Sequence, residues 1–208
     1  MDSTEQGKKD FLRLEDLYFD REYLVDFITT QIPQEDWYVF NCGKLRWTVR
    51  ESYQTLRTEC TKFNKTAFFR ELMDLFTVDI GVGDMIFTKT PPPGIPPHID
   101  RNRSAAINFP VTGTFKNSPM TWYQTFDTKT KYDSYTHSDI STKTDDYTAV
   151  LFDPTKIHGV ENKDDDTRCL LSVWWRNSSY NDIAELWRNG ELINQEANER
   201  NKFVKVLK

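Results

Sequence analysis

The chain has 208 residues, a net charge of -5 and 14% aromatic residues, enough for one packed domain with additions rather than two. The acidic balance leaves no electrostatic footprint for nucleic acid, the aromatic supply excludes disorder across the body of the chain, and no apolar run approaches the roughly 20 residues of a spanning helix. The opening MDSTEQGKKDF lacks the apolar segment of a secretory leader, and Cys42, Cys60 and Cys169 show no pairing or zinc-finger spacing. The expectation is reduced thiols in a cytoplasmic compartment, with neither membrane nor nucleic acid as partner.

In chain order, Asp20 is placed to cap a helix whose apolar positions Tyr23, Leu24, Phe27 and Ile28 form one stripe and which Pro33 stops. Trp37 to Phe40 reads as a short strand. Thr61 to Phe76 reads as a second amphipathic helix burying Phe68, Phe69, Leu72, Met73, Leu75 and Phe76. From Val78 the period changes to that of strands. Asp84 to Lys89 is short and apolar, and Pro91 to Pro97 is stiff and extended, since its prolines exclude a helix. Ala105 to Val111, Met120 to Phe126, Tyr147 to Phe152, Lys156 to Glu161 and Thr167 to Trp175 follow as strands, with a polar turn at Lys163 to Asp166. Short strands without intervening helices predict an antiparallel sandwich or barrel. The polar stretch Asp127 to Asp146, which holds His137, is long for a connection and reads as a lid or a mobile loop. Asn181 is placed to cap a late helix with Ile183, Leu186 and Trp187 as its stripe and Gly190 as its stop, and Gln195 to Lys208 reads as a further helix. The division is a single domain over 1–208, with a support region at 1–77, a β core at 78–176 and a helical tail at 177–208.

The chain contains three histidines. His98 and Asp100 form a His-x-Asp pair at the end of the proline-rich segment, and in an extended chain residues two apart share a face. His158 opens a later strand. Two imidazoles and one carboxylate make a facial set that leaves metal positions open, which suits Fe(II). A single histidine is usually a surface or hydrogen-bonded core residue; what gives these weight is their order and placement. Arg168 lies ten residues beyond His158 and shares its strand face with Leu170, Ser172 and Trp174. A guanidinium turned into an apolar barrel needs an anionic partner, and its planar fork fits a carboxylate. The alternative is a pairing with Asp164, Asp165 or Asp166 in the turn.

This set, His98-x-Asp100, His158 and Arg168 on short strands, resembles the Fe(II)- and 2-oxoglutarate-dependent oxygenases over roughly Val78 to Trp175. The run His98-Ile-Asp100-Arg-Asn-Arg103-Ser-Ala-Ala-Ile-Asn108-Phe-Pro110 is similar to small members of that superfamily from marine phages and bacteria. The resemblance implies a mainly β fold with flanking helices, a double-stranded β-helix (jelly-roll, cupin-like). It further implies Fe(II) held by His98, Asp100 and His158, and 2-oxoglutarate chelating the iron at one end and meeting Arg168 at the other. The hydroxyl that many relatives carry two positions after the arginine is replaced here by Leu170, and Ser172 stands four after. Asn108 and Tyr123 either add hydrogen bonds to the co-substrate or are ordinary strand residues. Trp122, Tyr123, Trp174 and Trp175 either line the substrate pocket or pack the core. The activity implied is hydroxylation of a small-molecule, amino-acid or peptide substrate. A cupin-type metal enzyme, whose pattern brings extra histidines, and a binding module without turnover are the alternatives.

Overall fold

The computed structural model describes residues 11–41, 54–59, 61, 63, 65–81, 83–92, 94–113, 119–123, 140–143, 149–162 and 167–207. His137, Cys42, Cys60, Asp164 to Asp166 and most of the expected lid at 127–146 lie outside them. Two strands, β1 (Phe11–Arg13) and β2 (Leu17–Phe19), precede helix α1 (Arg21–Thr30). The Asp20 carboxylate caps α1 by accepting from the Tyr23 N–H at 2.8 Å, and Leu24, Phe27 and Ile28 are its buried face, as the spacing predicts. After β3 (Tyr38–Asn41) and β4 (Gln54–Glu59), helix α2 covers Ala67–Leu75, shorter than the expected Thr61 to Phe76. Thr66 is extended at its entrance, and Phe76 leaves the helix to bridge Ile193.

Eight strands then build the core: β5 (Met85–Thr90), β6 (Gly94–His98), β7 (Ala105–Thr112), β8 (Met120–Tyr123), β9 (Ile140–Lys143), β10 (Val150–Phe152), β11 (His158–Glu161) and β12 (Arg168–Trp175). The larger sheet has the order β1-β10-β7-β12-β5-β4-β3 and the smaller one β6-β11-β8-β9. β5, β7, β10 and β12 thus belong to one sheet and β6, β8, β9 and β11 to the other, all in antiparallel pairs. A chain that alternates in this way between two facing antiparallel sheets is a double-stranded β-helix. The proline-rich segment is not only extended but a strand: β6 lies at a sheet edge, and Pro96 and Pro97 fall where its register with β11 shifts between His158 and Val160, so the ladder is already interrupted at their missing N–H groups. Ile140–Lys143 corrects the reading of 127–146 as wholly loop, because it pairs with β8 as the opposite edge.

Alternation along β12 separates two apolar layers. Leu170 and Trp174 pack between the sheets with Ile86, Ala106, Val150 and Phe152 from the larger sheet and Met120, Trp122 and Val160 from the smaller. Cys169, Leu171, Val173 and Trp175 face the other way, onto the layer under α1 and α2. Burial pushes the Cys169 thiol up to about 12, as befits a small apolar core residue.

Helix α3 (Tyr180–Arg188) is capped by Ser179 rather than the expected Asn181. Asp182, three residues on, completes a reciprocal capping box with Ser179, a pairing Asn181 lacks. Gly190, at φ +73°, ends the helix in the left-handed region. The expected helix Gln195 to Lys208 is instead a short α4 (Gln195–Arg200) followed by β13 (Val204–Val206), which pairs with β2. The Glu71 carboxylate of α2 accepts from the N–H groups of Lys202 at 2.8 Å, Phe203 at 2.6 Å and Val204 at 3.4 Å, and this breaks the helix there.

Candidate metal centre

His98 is the last residue of β6 and His158 the first of β11, and the two are direct register partners, with ring centroids 4.4 Å apart. Trp122 of β8 is the partner of His158 on its other side. Residues opposite one another in a ladder share a face, so the smaller sheet sets both imidazoles side by side. Asp100 lies just past β6, where its N–H donates to the Pro154 carbonyl at 3.0 Å. The ligand atoms of His98, Asp100 and His158 all fall within 4.8 Å of one another, and Asp100 Oδ1 is 3.7 Å from His98 Nε2.

Two of the three candidate ligands, His158 and Asp100, are prepared by their surroundings. His158 Nδ1 is 2.8 Å from the Lys156 carbonyl. A carbonyl only accepts, so Nδ1 carries the proton and Nε2 keeps its lone pair for a metal. Burial, followed by the neighbouring His98, pushes the His158 imidazole down to about 4, so it is neutral at physiological pH. Burial also pushes the Asp100 carboxyl up, but Arg103 foremost, with His98 and His158, outweighs it and holds the group below the ordinary carboxylate range. The Arg103 guanidinium sits 3.3 Å from Asp100 Oδ2 and stacks 3.9 Å from the centre of the Trp174 ring.

Arg168, the first residue of β12, is 1% exposed and opposes Thr90. Gly113, at φ +92°, passes so close that a Cβ there would lie 2.7 Å from the Arg168 Cα. Ser172 donates to Asn108 Oδ1 at 2.6 Å across the β7–β12 register, both side chains buried. Tyr123 is half-buried at the end of β8, and its backbone N–H donates to the Ile157 carbonyl at 3.0 Å. Trp122 and Trp174 lie in the inter-sheet layer. Trp175 does not: it belongs to the layer under the helices, where its Nε1–H donates to the Val78 carbonyl, so it is core and lines no part of this site.

Among solved structures the chain is similar to AviO1 from Streptomyces viridochromogenes Tue57, at 13% identity over 85% of this chain and 95% of that one, TM-score 0.46. It is similar to the non-heme alpha ketoglutarate dependent epimerase SnoN from nogalamycin biosynthesis, at 8% identity over 82% and 77%, TM-score 0.44. It is also similar to a Pseudomonas putida prolyl-4-hydroxylase, at 11% identity over 84% and 97%, TM-score 0.46. No protein-family model and no curated protein matches the sequence. The fold class of this chain rests on the strand order itself.

Three features went unread in the sequence. Arg103 reads there as part of a polar surface run, although its position three residues beyond Asp100 allows the contact it makes. Arg57 stands on β4, a strand that Thr, Arg and Glu at alternate positions disguise. In the register Tyr38–Arg57–Thr88–Leu170 it shares the inter-sheet face. The Trp122 indole N–H is buried and has no hydrogen-bond acceptor among the described residues. No helix of the described residues is long and apolar enough to cross a membrane.

Proposed function

We propose that this chain is an Fe(II)- and 2-oxoglutarate-dependent dioxygenase that hydroxylates a small-molecule, amino-acid or peptide substrate. The observation that carries the reading is the convergence of the His98, Asp100 and His158 ligand atoms within 4.8 Å at the margin of an inter-sheet layer that also buries the Arg168 guanidinium. The donor set fits Fe(II): two imidazoles and a carboxylate are the mixed nitrogen and oxygen donors that would hold it and still leave coordination positions for other ligands. The buried groups fit an anionic co-substrate, since Arg168 and the Trp122 N–H are donor-only groups.

When bound, Fe(II) with 2-oxoglutarate and dioxygen would supply the oxidising chemistry: the 1-carboxylate leaves as CO2, and of the two atoms of O2 one enters succinate and the other the substrate hydroxyl. The protein's residues bind and orient. Lys156 holds His158 in one tautomer through its carbonyl. Arg103 engages one oxygen of Asp100 and leaves the other directed at His98. Arg168 receives the distal carboxylate of the co-substrate, and the Ser172–Asn108 pair keeps polar atoms of the larger sheet satisfied beside it. Leu170, Trp174, Trp122 and Phe152 make the surrounding layer apolar, which keeps water from the reacting centre.

The test is anaerobic loading with Fe(II), then 2-oxoglutarate and air, with succinate and bound iron measured. The expected result is stoichiometric iron and slow succinate release, accelerated by a substrate panel. Iron without succinate points to a cupin-type enzyme of other chemistry, and neither iron nor succinate sinks the reading in favour of a binding module.

A further inference from the structure

The larger sheet runs two strands past the double-stranded β-helix, and β3 and β4 continue its inner face beyond β5. Arg57 is at the centre of that extension. Its guanidinium carbon lies 3.6 Å from the centre of the Phe40 ring, so the plane is held against an aromatic face and its N–H edges are left to act. Its Nε is buried with no acceptor, and no carboxylate stands within ion-pair distance of it among the described residues. Glu59, two residues along the same strand, is exposed and makes no ion pair with it. Arg57 faces, in the register Tyr38–Arg57–Thr88–Leu170, the same inter-sheet space that the triad borders, and its charge reaches Asp100, Arg103 and Tyr38. Tyr38 and Phe40 next to it are 42% and 40% exposed, so the place opens to solvent.

We propose that Arg57, with Phe40 beneath it and Tyr38 alongside, receives an anionic group, a carboxylate or a phosphate monoester, of the substrate that is oxidised. This rests on the oxygenase reading and names the substrate class for the same site. Arg168 is committed to the interior at the start of β12 and Arg103 to Asp100. Among the described residues, the buried Arg57 Nε has no acceptor. A stacked planar fork recognises two oxygens at once, and a bound anion supplies the acceptor that the buried Nε lacks. Substrates whose acidic group is separate from the C–H bond to be oxidised fit a cationic anchor that is not itself at the metal.

The test follows the arginine Nε–H resonances by 15N NMR while N-acetylglycine, methyl phosphate or the neutral N-acetylglycinamide is added, first to the metal-free chain and then with Zn(II) and 2-oxoglutarate present. Arg57→Lys assigns the signal. The expected result is a saturable shift of the Arg57 resonance with at least one anion and none with the amide, and binding about tenfold weaker in Arg57→Lys, which keeps the charge but not the fork. Which anion binds tells a carboxylate substrate from a phosphate one. No shift with either anion, or an equal shift with the amide, overturns the proposal. Failure of the oxygenase reading shows separately, as identical spectra of the triad residues with and without Zn(II) and 2-oxoglutarate.

Discussion

Arg103 divides the two oxygens of Asp100: it holds Oδ2 at 3.3 Å and leaves Oδ1 3.7 Å from His98 Nε2. The guanidinium thus presets a one-oxygen ligand and supplies the main charge that keeps the carboxyl ionised against its burial. Arg103→Gln removes both effects. We expect metal affinity to fall by about tenfold or more, and to fall further at pH 6 than at pH 8, because the Asp100 carboxyl then rises toward the titration range. A Mn(II) titration at the two pH values checks this. Equal affinity in variant and wild type would show that Asp100 needs no such support.

On the proposed reading Arg168 serves the co-substrate and not the metal, and one substitution separates the two roles. Arg168→Ala is expected to weaken 2-oxoglutarate binding by about 2–4 kcal/mol, the size of a charge-assisted pair, with iron affinity unchanged. Gly113→Ala reaches the same result by geometry. Its Cβ would press on the Arg168 backbone, and φ +92° is strained for any residue with a side chain. Calorimetric titration with Zn(II) present reads both. Loss of metal in Arg168→Ala would reverse the assignment.

The His158 imidazole makes the metal-free chain acid-sensitive. Folding lowers it to about 4, whereas in the unfolded chain it takes up its proton near pH 6.5. The unfolded state therefore binds more protons between these values. This contribution to stability is intact above about pH 6.5 and is lost progressively as pH falls toward about 4. Urea midpoints measured from pH 7.5 to 4.5 should drop less steeply in His158→Gln. Parallel curves for the two proteins would mean the imidazole is protonated without cost in the fold.

How much of this was readable depends on where the information resides. Strand period made some placements legible: His98 and Asp100 are two apart in an extended segment, and Arg168 shares a face with Leu170 and Trp174, whereas joining His158 to the set and giving the residues roles came from their order and from the resemblance. The core strands were legible for the same reason, as runs of Val, Ile, Leu and Phe. β4, with Gln54, Thr55, Arg57 and Glu59, has no apolar alternation and was missed, and Arg57 with it. β9 hides in a polar stretch because an edge strand needs backbone pairing more than burial. The end of the chain misled for another reason. Its composition favours a helix, but three backbone N–H groups find the Glu71 carboxylate, 131 to 133 residues away, and no local pattern reports a contact at that distance.

That clamp carries a prediction of its own. Glu71→Ala leaves the N–H groups of Lys202, Phe203 and Val204 without their shared acceptor. Hydrogen bonds to a charged group contribute about 1.5–3 kcal/mol, so a loss of roughly 2 kcal/mol is expected, read as a lower urea midpoint. Glu71→Gln should recover part of it, because its carbonyl still accepts. The clamp lies on the support side of the larger sheet, so iron binding should persist in the folded fraction. A variant as stable as wild type would show that water satisfies these donors equally well.

Trp122 separates a binding role from a packing role by the sign of two effects. The indole stacks on Phe11 with centroids 4.9 Å apart, and its N–H is buried without an acceptor among the described residues. Trp122→Phe keeps an aromatic ring for Phe11 and removes the donor. A buried donor left unmatched costs about 1–3 kcal/mol, an amount that offsets the packing lost with the smaller ring, so the metal-free variant is expected to stay close to wild-type stability. If the N–H is there for the co-substrate, 2-oxoglutarate affinity should fall about tenfold at the same time, the worth of one hydrogen bond to a carboxylate. Thermal unfolding and calorimetry on the same samples read the pair. Unchanged affinity with a clear drop in stability would assign Trp122 to packing alone.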